Sequence, residues 1–151
     1  MKMTPAMKKA QENMQAGVII AEGFLGDEKK SIKDMMVRDE GEMSRAGLDF
    51  DDVADRLLYL LIEGQKGLGE PVTVEDKWLI RVVDPRGKLP CPFEDGIFRK
   101  MTAEIELKST EEKLLVTDLS IHLLKEHHFI EGIGSHFRLE PELVKRVLFS
   151  S

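Results

Sequence analysis

The chain has a single cysteine among 151 residues, Cys91, so nothing is available for it to pair with. That excludes an internal disulfide framework, and one thiol cannot build a Cys-rich zinc site. Such usage fits a reducing compartment, and the expected location is the cytosol. Basic charge is also short: 22 Lys and Arg against 28 Asp and Glu leave a net charge of −6. That balance repels phosphate backbones, so nucleic acid is not an expected partner. No apolar run reaches the roughly 18 residues of a membrane span. The opening "MKMTPAMKKAQENMQAGVII" has early lysines but no continuous apolar stretch, so it does not read as a signal peptide. Internal repeats and low-complexity segments are missing as well.

What is present fits a soluble globular domain: 42% hydrophobic and 33% charged residues. The length suits one domain, residues 1–151. A chain of this size buries roughly 68–70% of its unfolded surface, enough for a core without disulfides or metal.

Hydrophobic spacing predicts helices first. Thr4-Pro5 is a helix start, and Met7, Ala10, Met14, Val18 and Ala21 recur at helical spacing to about residue 22. Gly17 interrupts this face, as a close approach of another element requires. A second helix over about 28–46, capped by Asp27, carries Ile32, Met35, Met36 and Met43 on one side and dense charge on the others. These methionines offer a self-association surface in a homo-oligomer, although core packing explains them more simply. Asp49 caps a third helix, rich in leucine. The stretch "MSRAGLDFDDVADRLL" resembles a helix-turn-helix, but Asp49, Asp51, Asp52 and Asp55 at its leading end repel phosphate.

After "GQKGLGEP" the period changes from helical to alternating. "KWLIRVV", 77–83, reads as a strand, 84–96 as a long loop with three prolines, and "IFRKMTAEIELK" as a half-buried strand. "STEE" then turns the chain into an antiparallel partner, "KLLVTDL". A helix over about 119–128 follows, and a last one starts near Pro141. The expected fold is α+β: three N-terminal helices over about 1–66, then a three-stranded antiparallel meander and C-terminal helices over about 70–151.

All four histidines fall in "TDLSIHLLKEHHFIEGIGSHF". On a helix Asp118 and His122 are one turn apart, so Asp118 can fix the tautomer of His122 and leave a catalytic base. His122 and Glu126 have the same spacing and suit two ligands of one zinc, iron or manganese ion. His127 leans toward the apolar side and reads as a hydrogen-bonded core residue, while His128 sits at the helix exit. "EGIGSHFR" combines a pliable glycine turn with Ser135, His136 and Arg138, a possible anion cradle. Cys91, in extended backbone between two prolines, has no basic neighbour in sequence.

These features lead to the expectation of a ligand pocket between the 84–96 loop and the 118–138 segment. It would take a small molecule, an anionic one included, or a protein partner, through Cys91, His128, Ser135, His136 and Arg138. Two alternatives accompany it. One is a metal-dependent or histidine-based enzyme centred on Asp118 and His122. The other is a regulatory or interaction module acting through the acidic helices.

Overall fold

Strand alternation dictates the centre of the structure, a computed structural model that describes residues 3–150. Strands β1 (Val72–Val74), β2 (Trp78–Val83), β5 (Thr102–Leu107) and β6 (Lys113–Thr117) form one antiparallel sheet in the order β1-β2-β5-β6. Trp78, Ile80 and Val82 turn to the same buried face as Ala103, Ile105 and Leu107, as a period of two requires. Helix α3 (Phe50–Gln65) lies on that face, capped by the Asp49 carboxylate, which accepts from the N–H groups of Asp51 and Asp52. Gly64 is required there, because a Cβ would overlap Ile80 and Val82. Helix α5 (Pro141–Phe149) closes the same core, and the Trp78 indole N–H donates to the Val147 carbonyl at 2.7 Å.

A second, smaller core joins helix α1 (Pro5–Asn13), helix α2 (Ile32–Arg45), helix α4 (Asp118–His127) and a two-stranded hairpin of β3 (Lys88–Pro90) and β4 (Ile97–Arg99). Met14, Ile32, Met35, Cys91, Leu123 and Phe129 fill it. Met35 and Met43 are buried, so the methionine face of α2 serves packing inside the chain. Among the described residues, no helix is long and apolar enough to cross a membrane.

The α+β architecture matches the expectation, with four local corrections. Helix α1 stops at Asn13 rather than near residue 22: Gly17 (φ +82°) and Gly23 (φ +72°) fold the chain back until the Phe24 N–H donates to Met14 O. Nothing approaches Gly17, so its role is the left-handed backbone. Helix α2 is capped by Ser31, not Asp27, whose N–H instead donates to Ile133 O at 2.8 Å. The stretch read as one strand over 97–108 divides into β4 and β5, which belong to different sheets. The meander also gains β1 at its edge.

Candidate metal centre

Helix α4 begins where β6 ends, as expected, with Asp118 as its first residue and Thr117 as its cap. The Thr117 hydroxyl accepts from Ser120 N–H at 2.9 Å, and the Ser120 hydroxyl accepts from Thr117 N–H at 2.8 Å. This reciprocal cap fixes the direction of a helix that carries His122 midway and His127 at its last residue. The β3–β4 hairpin lies against it and brings Cys91 and Asp95 to the same place.

Four donors converge there: Cys91 Sγ, an Asp95 carboxylate oxygen, and a ring nitrogen each from His122 and His127, all within 4.8 Å of one another. The Asp95 carboxylate spans the two rings, 3.0 Å from His122 Nε2 through Oδ1 and 2.7 Å from His127 Nε2 through Oδ2. Cys91 Sγ lies 3.9 Å from His127 Nε2. Aromatic neighbours set the rings. Phe93 stacks on His127 at 4.0 Å and 8°, and Phe98 lies tilted on His122 at 4.4 Å. Both phenylalanines come from the hairpin that supplies Cys91 and Asp95, so one hairpin delivers two donors and the plates that orient the two imidazoles.

Electrostatics sharpen the picture. Burial, followed by the neighbouring Asp95 carboxylate, pushes the Cys91 thiol up to about 12. Burial also acts to raise Asp95, but hydrogen bonding to Cys91, His122 and His127 outweighs it and holds the carboxyl well below its usual range. The centre thus concentrates an ionised carboxylate, two imidazoles and a shielded sulfur. Such a group can hold a metal ion.

The other sequence candidates lie elsewhere. His122 takes Asp95 as its carboxylate partner, and Asp118 makes no hydrogen bond to it; one Asp118 oxygen is buried without a partner, and burial raises its pKa. Glu126 is exposed and outside the donor group. His128 occupies the left-handed C-cap, stacks on Phe50 at 4.1 Å and faces Glu40. His136 is 72% exposed beside Glu22. Arg138 is committed to a buried, two-pronged pair with Asp39 at 2.9 and 3.0 Å and also donates to the Glu131 carbonyl. The glycine turn is likewise occupied: Gly132 N–H donates to Phe24 O and Ile133 N–H to Glu28. A Cβ at Gly132 would strike the Leu25 backbone. Its small residues permit two loops to pack, and the N–H groups of Gly132 and Ile133 are already engaged within the fold.

Two participants were not singled out in the sequence, Asp95 as a ligand and His127 as its partner. The available signal was Cys91 and Asp95 four residues apart in "CPFED", together with His122 and His127 five apart. Comparison with protein-family models, curated proteins and solved structures finds no match to this chain.

Proposed function

We propose that this chain is a metal-binding protein whose centre takes one zinc ion on Cys91, Asp95, His122 and His127. The observation that carries the reading is the convergence of four donors from two separate segments, one of them a buried thiol. Thiolate and imidazole together suit zinc and, next to it, ferrous iron; manganese, which prefers oxygen ligands, suits this set least. Tetrahedral zinc, with bonds of roughly 2.0–2.3 Å, closes on these atoms through shifts of about an ångström. The ion replaces the thiol proton and the hydrogen bonds between Asp95 and the two imidazoles. Four protein ligands fill a tetrahedral sphere, the pattern of zinc sites that hold structure. The role is to pin the β3–β4 hairpin to α4.

Cobalt substitution tests this. Added Co(II) gives intense tetrahedral d–d bands and a thiolate charge-transfer band in the native chain, and Cys91→Ser loses the charge-transfer band. Weak octahedral bands with no sulfur signature contradict the proposal.

A metal-dependent enzyme is the second reading, favoured by one observation: Asp95 is the most exposed ligand, its side chain 39% accessible. Water or substrate can replace a ligand at that position. Perturbation of the cobalt bands by added azide or imidazole supports this reading, and insensitivity to both refutes it.

A further inference from the structure

Pro85 and Leu89 line a cavity of about 540 Å³ that includes none of the four donors. Ile20, Phe24, Leu115, Leu119 and Phe137 give it an apolar interior. That volume suits a small organic molecule. One ionisable group lies buried in its lining: Glu131, 4% exposed, held at φ +70°. The carboxylate accepts from the Ser135 hydroxyl through Oε1 at 2.7 Å, and among the described residues no donor meets Oε2.

Nearby charges do not neutralise it. Arg138 directs its guanidinium to Asp39, Glu140 and the backbone carbonyl of Glu131. Lys100, Glu22 and His136 complete the charged lining, so two carboxylates face one ammonium and one exposed imidazole. With no counter-ion to offset burial, Glu131 is pushed up to about 7. A buried carboxylate open on one oxygen is complemented by a ligand that brings both a donor and a positive charge.

We infer that this cavity binds a small organic ammonium, an amine with an apolar body, whose nitrogen meets Glu131 while its hydrocarbon part lies among Phe24, Leu115, Leu119 and Phe137. The expected anionic ligand does not suit this lining, since its carboxylates outnumber its ammonium groups. The inference is independent of the metal centre, because none of the four metal donors lines the cavity.

Three probes of one shape separate the possibilities: 4-phenylbutylamine, 4-phenylbutanol and 4-phenylbutanoate, titrated at pH 8 by calorimetry and ligand-observed NMR. The amine should bind at least tenfold more tightly than the alcohol, with the carboxylate weakest. Glu131→Gln should remove the amine's advantage over the alcohol, while Leu115→Trp, which fills the cavity, should abolish binding of both. Equal binding of all three probes, tighter binding of the carboxylate, no binding of any probe, or amine binding that survives Leu115→Trp overturns the inference. Circular dichroism and metal content check that each variant keeps its fold.

Discussion

Asp95 and Glu131 are carboxylates with opposite surroundings. Asp95 is partly exposed and contacted by a thiol and two imidazoles, so it stays ionised even against the cost of burial. Glu131 is almost fully buried with one hydroxyl for company, so burial dominates and its acid form is favoured. Partners rather than residue type decide the outcome. The first arrangement collects ligands around a cation, while the second leaves an acceptor short of one.

The largest effects should come from the metal donors. Cys91→Ser or His127→Ala should lower zinc affinity at least a hundredfold in competition with a chromophoric chelator. Glu131→Gln should leave it unchanged; an equal loss in that variant would merge the two sites and end the contrast.

Glu131→Gln should act on stability instead. The folded-state pKa lies above the unfolded one, so the folded chain holds the extra proton between about pH 4.5 and 7. The contribution of Glu131 to stability therefore falls as pH rises through that window and is level outside it. Glutamine removes this dependence, and the variant should gain on the order of 3 kcal/mol relative to the native chain between pH 4 and pH 8. Urea unfolding at the two pH values measures it, and parallel pH profiles would contradict the assignment.

Phe93→Leu removes the plate on His127 and should weaken zinc binding by about 1 kcal/mol, several-fold in affinity, without abolishing it. His128→Ala and His136→Ala should change zinc affinity less than twofold. A larger change from either would show that the histidines outside the centre contribute to it.

The two cores differ in how plainly the sequence announces them. Alternation in 77–83 and 102–107 and the leucine face of α3 gave the sheet core, because each periodic face points at one neighbour. The smaller core is built from turns, and its contacts depend on where Gly23 and Gly132 let backbones meet, which no period encodes. The same holds for the centre. His122 was legible as a candidate from its place on a helix, but its partner was sought one turn away at Asp118. The carboxylate that reaches it comes from Asp95, 27 positions earlier, through a hairpin that reads as plain loop. Arg138 shows the converse: its charge suggested a ligand site, yet a buried Asp39 across the fold already occupies it.

Whether these four donors form one metal site is decided by native mass spectrometry of the chain purified without added metal. One zinc per native chain is expected and none in Cys91→Ser or His127→Ala, with Glu126→Ala and Asp118→Asn still loaded. A native chain that carries no metal and takes up none when zinc is added in slight excess would contradict it.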